Sequence, residues 1–348
     1  MLQQREIDDL CAFIKARDGF TIIAHMSPDG DTLGSSLALL WLLRKLGKQA
    51  EAVCADPAPS MYAFLPLAGE VLLPSKAAGY ENVIAVDCAD KARLGKAVDL
   101  FEAATATYNI DHHPTNDAYA RHNAVDPSAA ATGELIYRLA QSLCVQIEAD
   151  FASCLYAALM TDTGNFAYSN TTGETMRIAG DLLDAGADGY GLNLRIYRST
   201  SLERLRLLQL AIANIRLYRE GAVGITSLER LRLLQLAIAN IRLYREGAVG
   251  ITSLSRAEIE ESGAHDEDTE GVVDCVRDIE SVEIAIFIKE NGSNGWKISL
   301  RSKLMADVGA IAAQMGGGGH ARAAGYSARG DLTAVWADAL RRAEEALA

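Results

Sequence analysis

The chain has 348 residues, 49% of them apolar and 23% charged, and a formal net charge of −13. That length suits two domains with sizeable buried cores, and no run approaches the ~18 apolar residues of a membrane span. The acidic balance, without a basic stripe, argues against a grip on long nucleic acid but not against a small phosphorylated substrate.

From the N-terminus, residues 1–9 hold no apolar signal core, so a cytoplasmic protein is expected. A helix over residues 4–17 leads into an apolar strand from Phe20 to Ala24. Next comes His25-Met-Ser-Pro-Asp29-Gly-Asp31-Thr-Leu-Gly-Ser35, then a helix to about Leu46. Gly30 and Gly34 are read as allowing tight turns between ligands. Strands are expected over residues 49–54, 82–87 and 105–110, the second ending at Asp87 and the third at Asp111-His112-His113. Helices follow over residues 131–143, 148–160, 174–185 and 192–198, with Asp162 closing the second. Strands alternating with helices predict an α/β fold, a doubly wound and mainly parallel sheet. The six cysteines are scattered, without a Cys-x-x-Cys pair, and read as reduced and mostly buried.

Residues 200–228 then recur without a substitution as residues 226–254, a tandem repeat with a period of 26 residues. Each copy opens with a Thr-x-x-Glu capping box and continues as an amphipathic helix, its apolar stripe set by Leu202, Leu205, Leu208, Ile212 and Ile215 or their counterparts. Each ends in a short strand. Solenoids need three or more drifting units, so two perfect copies read as a duplication rather than a repeat architecture. The second copy is expected to join the C-terminal domain through its strand, and the first to lengthen the connection. Beyond it, residues 258–270 read as acidic and exposed. A helix over 270–278, two strands around the turn at Asn291-Gly292, a helix over 307–315 and a closing helix over 332–347 make a smaller α+β domain. The domains are thus expected at 1–195 and 252–348, the second with a first strand from about residue 246. A helical linker is expected over 196–251.

Four turns offer metal-type ligands at the ends of strands or helices: His25/Asp29/Asp31, Asp87, Asp111/His112/His113 and Asp162. Any one reads equally well as an N-cap or a satisfied histidine, but four in one α/β domain are hard to assign to capping. Oxygen and nitrogen ligands without thiolate favour Mn²⁺ or Mg²⁺, although zinc would bind too. Paired ions of this kind activate a bridging water and clamp a phosphoryl group. Gly316-Gly-Gly-Gly-His320-Ala-Arg322-Ala-Ala-Gly325 is a candidate phosphate contact, in which Gly317, Gly318, Gly319, His320 and Arg322, helped by Arg301, bind substrate. A flexible linker is the bland alternative for the glycines.

The Asp-His-His triplet, with His-x-x-x-Asp-x-Asp upstream, Asp87 between and Asp162 after, resembles the DHH phosphoesterase superfamily. The glycine–histidine run resembles the signature of its usual C-terminal companion domain. The compact form is similar to the group of bifunctional oligoribonucleases and pAp phosphatases. That resemblance implies two Mn²⁺ ions (with Mg²⁺ or another divalent metal as substitutes), one held by His25, Asp29 and Asp87. The other would take Asp31, Asp87, His112 and Asp162, with Asp87 bridging. It implies that His113 faces the phosphate and that Asp111 orients the histidines, making Asp87, His113 and Asp111 the catalytic set. The implied substrates are short RNA and adenosine 3′,5′-bisphosphate (pAp), bound in a cleft between the domains, with no long nucleic acid and no membrane. A homodimer stays open. The rivals are a phosphodiesterase of pApA or other linear dinucleotides, a pyrophosphatase, and a nucleotide-binding regulator without turnover.

Overall fold

The computed structural model describes residues 4–213, 228–292 and 295–348. The chain divides into two compact units, Met1–Ile196 and Tyr197–Ala348.

The first unit begins with α1 (Gln4–Lys15) and β1 (Phe20–Ala24), then α2 (Gly30–Lys45), β2 (Ala50–Cys54), β3 (Asn82–Val86), α3 (Val98–Ala103), β4 (Ala106–Asp111) and β5 (His122–Val125). Helices α4 (Thr132–Ser142), α5 (Ala149–Asp162), α6 (Gly173–Asp184) and α7 (Gly189–Tyr197) complete it. The five strands form one wholly parallel sheet in the order β2-β1-β3-β4-β5. Alternation along β1 explains the two layers. Phe20 and Ile22 point into a core with α1, α2, α4 and α5, while Ile23 points to the thinner face beneath Leu94 and Phe101. Because β1, β3 and β4 are neighbours, their C-terminal ends bring His25, Asp87 and Asp111 side by side, where such sheets hold their ligands.

Gly30 and Gly34 do not make turns. Both lie in α2, where a Cβ would come within 2.4 Å of Thr161 and of the Cys154 carbonyl. Their role is the close approach of α2 to α5.

The second unit carries α8 (Leu202–Ala213), α9 (Leu228–Ala239), β6 (Arg242–Tyr244), β7 (Val249–Leu254), α10 (Arg256–Ser262) and α11 (Val272–Arg277). It continues with β8 (Ile284–Glu290), β9 (Gly295–Ser302), α12 (Val308–Gln314), β10 (Gly318–His320), β11 (Ala323–Arg329) and α13 (Leu332–Ala346). The sheet runs β10-β11-β9-β8-β7-β6, antiparallel except for β7 with β8. Helices α12 and α13 cover one face through Ile298, Leu300 and Val335, and α9 and α11 cover part of the other through Ala285 and Phe287. The acidic stretch is partly helix, since Ser255 and Glu258 form the capping box of α10 and Ile259 is buried.

The described residues of the expected connector, from Leu202 to Ala213 and from Leu228 on, pack into this second unit. Of the two identical helices, α9 lies against the sheet with Leu233 fully buried, while its counterpart Leu207 on α8 is 67% exposed. Helix α8 buries Leu205 and Ile212, but Leu208 of the expected stripe is exposed. The second copy supplies β6 and β7. The matching strand of the first copy, and Ile215, lie outside the described residues.

Candidate active site

Three elements end at one point in the first unit, and two helix N-termini face it. His25 follows β1. Its Nδ1 donates to the Met26 carbonyl at 2.7 Å, so Nε2 presents its lone pair 3.7 Å from Asp87 Oδ2. Asp29 caps α2, and its Oδ1 accepts from the amide of Thr32 at 3.0 Å. Asp31, 1% exposed, accepts from Ser35 Oγ at 2.7 Å and from the amides of Thr132 (2.7 Å) and Gly133 (3.1 Å) at the N-terminus of α4. That helix end offers its positive dipole to the carboxylate.

Asp87 stands between the two groups of ligands. Its backbone is left-handed (φ 57°), a conformation that disfavours most side chains and recurs at functional sites. Oδ2 accepts from Thr32 Oγ1 at 2.7 Å and faces His25; Oδ1 accepts from Thr132 Oγ1 at 2.8 Å and lies 3.7 Å from His112 Nε2. His112 donates Nδ1 to the Ala129 carbonyl (3.2 Å), and its Nε2 is 3.3 Å from Asp162 and 3.7 Å from Asp31. His113 Nδ1 donates to Asp111 Oδ1 at 2.7 Å, and Asn116 Nδ2 holds the other oxygen at 2.6 Å.

The electrostatics follow from this crowding. Burial, then the charge of Asp29, pushes Asp87 up to about 6 despite the nearby histidines and Thr32. Burial and the charges of Asp87 and Asp162 raise Asp31 well above the usual carboxylate range, and burial also raises Asp162. At Asp111 burial opposes ionisation, but the hydrogen bonds from His113 and Asn116 win and hold its carboxyl below its ordinary value. The same bond raises His113 against the pull of burial. Like charges face each other here at low exposure, with two imidazole Nε2 atoms turned inward, an arrangement that a bound cation would relieve. Its donors fall into three overlapping sets, His25/Asp29/Asp87, Asp31/His112/Asp162 and Asp87/His112/His113, each within 4.8 Å. Hard oxygen and imidazole nitrogen donors so arranged fit divalent cations.

In the second unit, sheet register gathers the other candidates. Lys297, Ser299 and Arg301 alternate with buried residues of β9, and face Ser327, Gly325 and Ala323 of β11. Gly318 and His320 of β10 continue the Gly325 and Ala323 rows. Cations thus border a strip of small residues, beside a cavity of about 360 Å³ that Lys289 and Thr269 help to line. Arg301 Nε lies 3.4 Å from Asp274. The glycines divide by role. A Cβ on Gly317 would meet the Gly325 carbonyl at 2.2 Å, and Gly319 (φ 144°) would meet that of Ala323 at 2.5 Å, so both serve the hairpin; Gly318 faces open space. Arg322 donates to the Ala306 carbonyl at 2.7 Å.

Sequence reasoning passed over Arg93, Thr32, Ser35 and Asn116. The signal for Thr32 was its place three residues after a capping aspartate, and for Asn116 its closeness to Asp111 in the chain. Thr132 and Gly133 were passed over too, yet Thr132 holds both Asp31 and Asp87 and Gly133 holds Asp31.

This site, on a parallel sheet followed by a mixed α/β unit, is that of a phosphoesterase, and the chain belongs to the DHH family. The model of the DHH family N-terminal domain matches residues 19–159, and that of the DHHA1 domain residues 248–348. The chain is 33% identical over 339 residues to the bifunctional oligoribonuclease and PAP phosphatase NrnA of Thermus thermophilus, covering 96% of this chain and 92% of that one. It is 27% identical to the probable enzyme of the same name from Streptococcus mutans, over 91% of each. Among solved structures, an exopolyphosphatase-related protein from Bacteroides fragilis matches with a TM-score of 0.55 and 25% identity, over 99% of this chain and 97% of that one. Among the described residues no helix is long and apolar enough to cross a membrane.

Proposed function

We propose that this enzyme hydrolyses very short oligoribonucleotides to mononucleotides and dephosphorylates pAp to AMP, with two Mn²⁺ ions as the preferred cofactors. The observation that carries the reading is Asp87, whose two oxygens face different ligand groups, Oδ2 towards His25 and Oδ1 towards His112. One ion would be held by His25, Asp29 and Asp87, and the other by Asp31, Asp87, His112 and Asp162. Bound there, the pair supplies an activated water and positive charge for the phosphoryl group.

The chain's own residues do the rest. Thr32 and Thr132 fix the plane of the Asp87 carboxylate through both oxygens, and the start of α4 fixes Asp31. Asp111 holds Nδ1–H of His113 and favours its protonated form, so Nε2–H can donate to a phosphate oxygen or to the departing ribose oxygen. Arg301, Lys297, His320 and the backbone around Gly318 bind the nucleotide end of the substrate. A cytoplasmic site of action agrees with six unpaired cysteines.

The test is purified protein with Mn²⁺, given a five-nucleotide RNA, a long RNA, pAp, pApA and pyrophosphate. Rapid release of mononucleotides from the short RNA and of AMP from pAp is expected. Cleavage of none of them would refute the enzyme reading, and pyrophosphate cleaved as fast as pAp would transfer it to the rival phosphatase class.

A further inference from the structure

Arg93 lies outside every role assigned above, yet its side chain enters the site. It sits in the 3-10 segment Lys91–Ala97, whose cap Asp90 accepts from the Arg93 amide at 3.1 Å. Its carbonyl accepts from the Met26 amide at 2.8 Å, and the Met26 carbonyl in turn takes Nδ1–H of His25. Gly95 presses the same segment against Met26, where a Cβ would lie 3.4 Å from the Met26 Cβ. The segment is therefore braced against the loop that carries His25.

The guanidinium makes an unusual choice of partner. One of its terminal nitrogens is 3.0 Å from His25 Nε2. A guanidinium only donates, so it uses the lone pair that a cation at this ligand group would need. Five aspartates stand in the same site, but no ion pair joins Arg93 to a carboxylate among the described residues. Its charge also reaches His113, where it opposes protonation. A half-buried arginine that contacts one site histidine and bears on the charge of another, with no carboxylate partner among the described residues, has donor capacity left for an anion.

The geometry points to Arg93 as a ligand of the substrate phosphate, held against His25 Nε2 until a divalent cation takes that lone pair. The two cannot share one lone pair, so cation binding releases the guanidinium while leaving it tethered at the site. Its planar fork then meets two oxygens of a phosphoryl group. This rests on the phosphoester reading, but not on which phosphoester is hydrolysed.

The experiment uses the full chain with Arg93→Ala, Arg93→Gln and Arg93→Lys. Mn²⁺ affinity of the metal-free proteins is read from free Mn²⁺ by electron paramagnetic resonance. Affinity of the Mn²⁺-loaded proteins for inorganic phosphate is read by calorimetry. Arg93→Ala and Arg93→Gln are expected to bind Mn²⁺ at least as tightly as the parent, and phosphate about 10- to 100-fold more weakly, the worth of a charge-assisted hydrogen bond. Arg93→Lys should fall between. Unchanged phosphate affinity would overturn the proposal. So would a joint loss of both affinities in the Gln and Lys variants, which retain most of the side-chain bulk, because it would mean that Arg93 merely braces His25. Phosphate binding is measured whether or not pAp proves to be a substrate, so failure of the substrate reading is seen separately.

Discussion

Asp31 and His320 sit at opposite extremes of the molecule's polar chemistry. Asp31 is 1% exposed, with three donors on its two oxygens, two of them backbone amides of a helix start. His320 is exposed on a three-residue strand whose neighbours are glycine and alanine. The first unit builds its site by burying charge and fixing every oxygen, at the cost of mutual repulsion in the metal-free protein. The second leaves a strip of small residues open and sets cations along it, which costs the fold little. Substitutions in the first should therefore alter chemistry and stability together, whereas those in the second should alter affinity alone.

Asp87→Ala tests the stronger half of that contrast. Turnover of pAp and short RNA in Mn²⁺ should fall by at least about a thousandfold, since several kcal/mol of charge stabilisation depend on the ions it bridges. The metal-free variant should melt no lower than the parent, because a repelled buried carboxylate has gone. Normal turnover in steady-state assays would break the assigned geometry. Arg301→Ala tests the weaker half. KM for pAp should rise about tenfold, with kcat within a few-fold and an unchanged melting temperature. A collapse of kcat instead would erase the distinction between the two regions.

The smallest expected effect is on stability against pH. Asp87 holds its proton up to about 6 in the folded protein, above its ordinary value of 3.8. Between those values the folded state binds more protons, so stability falls as pH rises and is lowest above the folded value. His113, raised by Asp111, acts in the same direction: its contribution is full below the ordinary imidazole range and is lost as pH rises through the folded value. Asp111, lowered, adds stability that disappears only at more acid pH. Metal-free protein should thus melt lower at pH 8 than at pH 5, by about 2–4 °C for each kcal/mol of buried-charge cost. Mn²⁺ should reverse the order. Calorimetry in chelator and in Mn²⁺ gives both melting curves, and identical pH trends would contradict the buried-repulsion account.

Much of the first unit was legible because its signals are local. Phe20 to Ala24 and Asn82 to Val86 are apolar runs that stop at a histidine or an aspartate, so strand and ligand announce each other. Strand β5 was not legible, since His122–Val125 is a short edge strand with an exposed histidine at its start. Nor were β10 and β11, whose glycines and alanines have little strand preference and owe their conformation to register with β9. Arg93 has no local signal at all, because it reaches His25 only through the folding of a distant segment. The repeated helices make the limit plain. Leu207 and Leu233 have identical sequence neighbours, and one is 67% exposed while the other is fully buried. The helix tied directly to β6 and β7 takes the groove, and its twin packs outside it.

The left-handed backbone at Asp87 has a consequence for how this protein can be improved by laboratory selection. Glycine there would relax the chain and remove a buried charge in one step, so a library screened for heat resistance alone should enrich it. The same change would delete the carboxylate that, among the described residues, faces both ligand groups. Endurance and turnover thus pull on a single codon in opposite directions, and the aspartate records which of the two this sequence has kept.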